Sequence, residues 1–340
     1  MDLIYAGSVK NLYLDSDPTQ VWFEFTDDYS VFDWGKMPDP IPGKGENLAR
    51  LGEWFFNKLT DPAEWAALEL SQRDELRRWL PITHHFLRRE SNRILVKRVS
   101  VPKLARATVG GNLVYDYGYA IEPRQLIPLE VIFRFGVPKG SSLLARKSWY
   151  PFDIHEGAEF PQPLIEFSTK LETRDRMLSY QEAAMVLKAR PALLAEVHAR
   201  TNAVALFLQG LFRRAGLKLW DGKLEWAFID GAITLVDSIG PDELRVSAGE
   251  AVFSKQFLRD FYLGSPWEQA VQQGKALAHS RGSADWKAIV RNELQAAPTP
   301  LSPQYKETAR LLYEDFRTIL VDGQSCSGFV SAVSKLPPPR

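Results

Sequence analysis

The chain has 340 residues, 45% hydrophobic and 25% charged, the make-up of a soluble globular protein with one large domain or two ordinary ones. Lysine plus arginine equal aspartate plus glutamate at 42 each, so no global field draws nucleic acid or an anionic membrane, and any anion site must be built locally for small-molecule partners. No run approaches the ~18 apolar residues of a membrane span, the opening Met1-Asp2-Leu3-Ile4-Tyr5 lacks a signal-peptide layout, and the single Cys326 excludes an intramolecular disulfide or a cysteine-paired zinc site, so a cytosolic location is expected.

Alternating apolar runs at Leu3 to Leu14, Val21 to Thr26 and Ile94 to Val101 predict strands, and hence a β-rich N-terminal lobe over residues 1–159. Within it, Leu48, Leu51, Phe55 and Leu59 form a helical stripe after the Gly-rich, cationic loop Pro42-Gly43-Lys44-Gly45. The turn-punctuated, aromatic stretch from about 102 to 126, with Gly110-Gly111-Asn112 and Tyr115 to Tyr119, reads as an inserted hairpin. Leu129 to Phe133 is a buried-strand candidate ending at Arg134, followed by a Gly136, Pro138, Gly140 loop before Ser141.

Pro161 and Pro163 mark a linker, so a second, α/β lobe is expected over residues 160–325. It should hold helices at about Ser179 to Lys188 and Pro191 to Ala215, then strands at Leu217 to Trp220, Lys223 to Ile229 and Ala232 to Asp237. Three more helical segments are predicted, at Trp267 to Ala278, Trp286 to Leu294 and Tyr305 to Leu320. Residues 326–340, ending in Pro337-Pro338-Pro339-Arg340, read as a disordered tail.

The chemistry concentrates in Trp220 to Arg245, where carboxylates, a lysine and an arginine are strung along a predicted hairpin. Lys223, Glu225 and Asp237 could gather an ammonium and two oxygen ligands around a Mg²⁺-bound nucleotide, because Mg²⁺ takes one or two protein carboxylates plus phosphate and water. A Lys-x-Glu alternation is equally what an ordinary solvent-facing strand carries. A two-residue Asp230-Gly231 turn pairs Glu225 with Val236 and sends Asp237 to the opposite face; a longer loop, a bulge or strong end twist would bring it round. Arg245 after Asp242, and Arg134 before Lys139-Gly140-Ser141, have the chemistry of anion cradles. Gly7, Lys10 and Tyr13 could cover phosphates from the first hairpin, and Lys97 could reach them from a neighbouring strand. His84-His85 and His198 read as packing residues.

In order along the chain, Tyr5-Ala6-Gly7-Ser8-Val9-Lys10, Ile41-Pro42-Gly43-Lys44-Gly45, Ile127-Pro128-Leu129-Glu130-Val131-Ile132-Phe133-Arg134, Pro163 to Lys170, Asp221 to Trp226, Asp237 to Arg245 and Ser254 to Asp260 resemble the SAICAR synthetase family. The resemblance implies an α+β, two-lobed fold with a kinase-like nucleotide cleft. It also implies ATP and Mg²⁺ as cofactors, with the carboxylate of carboxyaminoimidazole ribotide joined to the amine of L-aspartate. By the same resemblance Lys10 and Lys97 contact ATP phosphates, Glu130 lines the adenine side, and Glu225 with Asp237 holds Mg²⁺. Arg134, Ser141 and Arg245 grip the ribotide, Lys223 and Asp242 sit at the reacting carboxylate, and Lys170 and Asp175 position aspartate. The chain departs from the family pattern at Ser8, Ser238 and Glu243-Leu244, and by an extra residue between Arg134 and Ser141. Those departures leave room for a paralogue acting on another acid or amine and for a non-catalytic nucleotide-binding protein; a kinase is a weaker fourth reading, resting on likeness of fold.

Overall fold

The computed structural model describes residues 1–110, 112–118, 122–188, 191–283 and 285–336. The chain opens with β1 (Asp2–Ala6), β2 (Lys10–Leu14) and β3 (Gln20–Phe25), followed by helices α1 (Lys44–Thr60), α2 (Pro62–Ala67) and α3 (Asp74–Arg77). Next come β4 (Phe86–Glu90), β5 (Arg93–Lys97), and the short hairpin β6 (Ala105–Val109) and β7 (Asn112–Asp116). The long strands β8 (Gln125–Gly136) and β9 (Glu159–Thr169) precede β10 (Met177–Leu178), α4 (Tyr180–Val186) and α5 (Pro191–Arg214). Strands β11 (Lys218–Ile229), β12 (Ala232–Val236), β13 (Leu244–Ala248) and β14 (Ala251–Phe253) lead to α6 (Gln256–Tyr262), α7 (Pro266–Ser280), α8 (Trp286–Ala288), α9 (Pro303–Leu320) and α10 (Gly328–Val333).

Among the described residues these strands form two larger antiparallel sheets and the separate β6–β7 pair. The first sheet is ordered β1-β2-β3-β5-β4, and the second β10-β9-β8-β11-β13-β14, with β12 also on β11. This mixed α+β arrangement agrees with the expected class, and β6–β7 is the inserted hairpin, although Gly111 and residues 119–121 lie outside the described residues. The expected lobe boundary at 159/160 does not divide the sheets. It falls at the first residue of β9, which pairs with β8 from before the boundary. Pro161 and Pro163, the expected linker, sit inside β9, where β10 covers only Phe167 and Ser168 on the outer side. That part of β9 is therefore an edge, where proline removes no ladder bond.

The expected disordered tail is corrected in part. Residues 326–336 are ordered, with α10 laying a fully buried Phe329 over Phe253 at 4.7 Å between ring centroids, while 337–340 lie outside the described residues. No helix among the described residues is long and apolar enough to cross a membrane.

One continuous apolar core runs from Phe25 through Phe55 and Phe56 to Phe133, Trp226 and Phe253. Helix α1 packs between the first sheet and α9, and α5 covers one face of the second sheet. Leu224, Trp226, Ile233 and Leu235 all join this core, so the alternating residues Lys223 and Glu225 face the other way, toward the cleft between the sheets. The sheets are tied by the Thr83–His85 backbone. Leu235 N–H donates to Thr83 O at 2.9 Å, His85 N–H to Leu235 O at 3.0 Å, and Lys97 N–H to His85 O at 2.8 Å.

Helix α1 starts where Asp27 accepts hydrogen bonds from Gly43 N at 3.1 Å and Gly45 N at 3.0 Å, satisfying orphan donors of its first turn. A Cβ on Gly45 would stand 2.3 Å from the Phe25 carbonyl oxygen. Gly45→Ala is therefore expected to lower stability by roughly 1–3 kcal/mol, measured as a shift in the urea-unfolding midpoint followed by tryptophan fluorescence.

Candidate active site

The Asp230-Gly231 turn takes the two-residue form, with φ of 51° and 88°, and it pairs Glu225 with Val236 as the turn chemistry requires. Asp237 then leaves the strand at φ 69°, a left-handed conformation that Asp tolerates better than most residues. This single backbone reversal brings the side chain round from the opposite face. Its carbonyl is held by His85 Nε2 at 2.9 Å, and its carboxylate pairs with the Lys10 ammonium.

Three lysine–carboxylate pairs line the cleft. Lys10 from the first sheet meets Asp237 from the second; Lys170 meets Glu225 at 2.5 Å; Lys223 meets Glu130 at 2.6 Å, with Lys170 a further 3.8 Å from Glu130. Glu130 and Glu225 stand directly opposite each other on β8 and β11, a like-charge pairing that costs free energy unless cations sit between them. Lys170 and Lys223 supply those cations. Burial pulls Lys10 down to about 8, although the Glu225 and Glu243 carboxylates resist the shift. Burial works against both Glu225 and Lys223, and in each case the neighbouring opposite charges prevail: Glu225 is held below, and Lys223 above, its ordinary range.

Arg134 and Ser141, expected to grip an anionic substrate, are instead committed internally. The Arg134 side chain is only 4% exposed, and its donors go to Glu166 at 2.5 Å, Asp221 at 3.0 Å and Ser142 Oγ at 3.2 Å. Arg146 reaches the other Glu166 oxygen at 2.7 Å. Ser141 is buried, its hydroxyl accepting from Leu143 N at 3.4 Å. The reason is that Asp221, Arg134 and Arg245 are cross-strand neighbours on β11, β8 and β13, so the carboxylate takes both guanidinium groups. Arg245 Nε bonds Asp221 Oδ1 at 2.7 Å and its Nη2 bonds Oδ2, while its Nη1 has no hydrogen-bond partner among the described residues. Arg134 is thus a positioning residue for Ser142, Asp221 and, through Asp221, Arg245.

Asp242 also differs from expectation. It is ion-paired with the fully buried Lys44 at 3.0 Å and accepts from Tyr313 OH at 2.7 Å, so it fixes α1 and α9 to the cleft floor rather than opening onto a reacting carboxylate. Burial would raise it, but Lys44 and Lys255 hold it well below the usual carboxylate range. The residue projecting among the cleft cations is its neighbour Glu243. One of its oxygens accepts from Ser238 Oγ at 3.1 Å, and the other is buried without a hydrogen-bond partner among the described residues. Burial and Asp242 push Glu243 up to about 7 against the pull of Lys10 and Lys223.

Sequence reasoning missed Lys44, Glu243 and His85 as site residues. It also gave no role to Lys255 and Arg259, two cations of the Ser254 to Asp260 stretch that lie near Asp242 and whose own pKa values burial lowers. Asp175 lies on the loop after β9, raised to about 6 by burial and by Glu130. Lys97 makes no ion pair with the cluster among the described residues; it ends β5 opposite Gln20. Tyr13 points away to Glu24, donating at 3.1 Å, while Gly7 closes the β1–β2 turn, its N–H donating to Lys10 O at 3.0 Å.

No group of three or more metal-binding side chains gathers among the described residues. The available pair, Glu225 and Asp237, is all-oxygen and leaves most of a coordination shell to other ligands. That fits Mg²⁺ carried on nucleotide phosphates, and not a cation caged by protein alone.

Residues 3–274 match the family model described as SAICAR synthetase. The chain is 31% identical over 325 residues to an Archaeoglobus fulgidus protein provisionally named phosphoribosylaminoimidazole-succinocarboxamide synthase, covering 91% of this chain and 92% of that one. It is 27% identical over 278 residues to the synthase of that name from Nitrosopumilus maritimus, covering 79% and 85%. The solved SAICAR-synthase from Saccharomyces cerevisiae complexed with SAICAR superposes with a TM-score of 0.59 at 20% identity over 96% of both chains, a likeness of fold. A SAICAR synthetase in complex with ADP superposes with a TM-score of 0.53 at 25% identity, over 82% and 97%.

Between the ordinary glutamate range and about pH 7, folded Glu243 retains a proton that the unfolded chain has released, so this group's contribution to stability falls as pH rises through that window. Glu243→Gln keeps the shape and removes the charge. It should raise the melting temperature at pH 8.5, with the gain shrinking toward pH 5, read by thermal scans across pH.

Proposed function

The chain belongs to the SAICAR synthetase family, and from that premise we propose that it is an ATP-dependent ligase that activates a carboxylate and joins it to an amine. The observation that carries the reading is the set of three lysine–carboxylate pairs drawn from both sheets onto one cleft. Lysines 10, 170 and 223 can exchange their carboxylate partners for nucleotide phosphates, while Glu225 and Asp237 turn to Mg²⁺. Bound there, the cation would neutralise charge on the phosphate chain. The resemblance puts Glu130 on the adenine side, but its pairing with Lys223 makes it a restraint on that ammonium.

A carboxylate is a poor electrophile at neutral pH, and phosphorylation supplies the leaving group it lacks. A carboxylate oxygen attacks the terminal phosphorus, the bond to ADP breaks, and an acyl phosphate forms. The amine nitrogen then attacks the acyl carbon, the carbon–oxygen bond breaks, and phosphate leaves with the electron pair; the incoming ammonium sheds two protons in becoming an amide. In this reading Lys223 steadies charge on the acid through both steps, and Lys10 steadies the phosphoryl group. Arg245, whose Nη1 has no partner among the described residues, and the nearby Lys255 and Arg259 form the cationic rim for the acid.

Carboxyaminoimidazole ribotide and L-aspartate are the first pair to assay. A second reading, a paralogue acting on a different acid or amine, is favoured by Glu243, because a carboxylate near Lys10, Lys223 and Lys255 competes with a second anionic group on the acid. In an ADP-release assay with Mg²⁺, turnover is expected with an acid and an amine together. Glu225→Gln and Asp237→Asn should each lower it by at least about 100-fold, given that even groups supporting metal ligands are worth 10–100-fold. Nucleotide binding without release of ADP for any pair would overturn the ligase reading in favour of a non-catalytic nucleotide-binding protein.

A further inference from the structure

A cavity of about 500 Å³ lies between the β6–β7 hairpin, the 172–176 loop and the end of α7. It meets the lysine–carboxylate cluster at Asp175, a lining residue whose carboxyl is repelled by the Glu130 carboxylate and attracted by the Lys223 ammonium. The hairpin is fastened in place, not draped: Tyr115 OH donates to Thr173 Oγ1 at 2.9 Å and accepts from Thr173 N at 3.0 Å. Leu113, Val114 and Trp286 give the cavity apolar walls, and the wall from Lys275 to Trp286 lies beyond the residues matched by the family model.

The charges around the cavity are mostly spoken for. Arg176 binds Glu172 with two hydrogen bonds, at 2.6 and 2.7 Å, and Lys275 binds Asp33 at 2.8 Å. Arg174 and Asp175 remain, adjacent and of opposite sign, with no hydrogen bond or ion pair to another described residue. A guanidinium and a carboxylate on consecutive lining residues complement a carboxylate and an ammonium, the shared head of every α-amino acid. The space is in the range of about 300–1,000 Å³ that holds a drug-sized ligand, far more than a short acidic side chain fills, and its apolar walls offer nothing to a second carboxylate.

We propose that this cavity receives the amine substrate, as an α-amino acid or short peptide with an apolar or aromatic side chain. Asp175 holds the ammonium toward the cluster, Arg174 takes the carboxylate, and Leu113, Val114 and Trp286 take the side chain. The assignment rests on the ligase reading and specifies its amine. It makes the hairpin the specificity-determining element.

Calorimetric titration of the full chain with L-phenylalanine, L-leucine and L-aspartate tests it, with a Mg²⁺–ATP analogue titrated separately. L-phenylalanine or L-leucine should bind at least tenfold more tightly than L-aspartate. Arg174→Ala and Val114→Asp, the latter on the exposed hairpin surface, should each weaken that binding at least tenfold while nucleotide affinity stays unchanged. Tighter binding of L-aspartate, binding insensitive to both substitutions, or no amino acid binding at all would overturn the proposal while nucleotide binding persists. Loss of nucleotide binding with amino acid binding intact would instead sink the ligase reading.

Discussion

Between Thr83 and Phe86 the backbone belongs to both sheets at once. It exchanges hydrogen bonds with β12 through Leu235 and with β5 through Lys97, and the Thr83 hydroxyl adds a bond to Ile233 O at 2.6 Å. Each such bond is worth only about 1 kcal/mol net, but together they set the distance between the sheet carrying Lys10 and the sheet carrying Asp237. His85 completes the join. Burial and the Lys10 charge keep its ring neutral, and because the Asp237 carbonyl can only accept, the proton sits on Nε2.

With that distance fixed, charge balance follows. The cleft holds several carboxylates within reach of one another, an arrangement that buried surroundings penalise unless each is matched. Lysines 10, 170 and 223 match Asp237, Glu225 and Glu130, and Lys44 matches Asp242 below them. A nucleotide with its cation brings both signs of charge together, so it can replace partners in kind without leaving an uncompensated ion. Glu243 has no ion-pair partner among the described residues, and burial together with the neighbouring Asp242 raises its proton affinity.

What could be read from the sequence was local. The Asp230-Gly231 turn dictated the Glu225–Val236 register, and Ser179 with Glu182 forms the capping box that starts α4. The alternation of Leu224 and Trp226 with Lys223 and Glu225 separated core face from cleft face. What escaped was decided by contacts distant in sequence. Nothing near Lys44 announces that its ammonium is buried against Asp242, and Arg134 resembles a free anion binder until Glu166, Asp221 and Ser142 are seen to consume its donors. The prolines of β9 signalled a linker because the lack of an outer neighbour strand is a property of the sheet.

The left-handed turn at Asp237 has a consequence for how substitutions at the two cleft carboxylates compare. Glu225 lies within a regular ladder, so replacing it alters chemistry and little else. At position 237 the main chain and the side chain answer to the same φ of 69°. A β-branched replacement would resist that angle, straighten the end of β12 and withdraw the carbonyl from His85, loosening the join between the sheets along with the carboxylate. Asparagine, which shares aspartate's tolerance of the angle, is the replacement that separates the two effects, and the two positions are not interchangeable controls for each other.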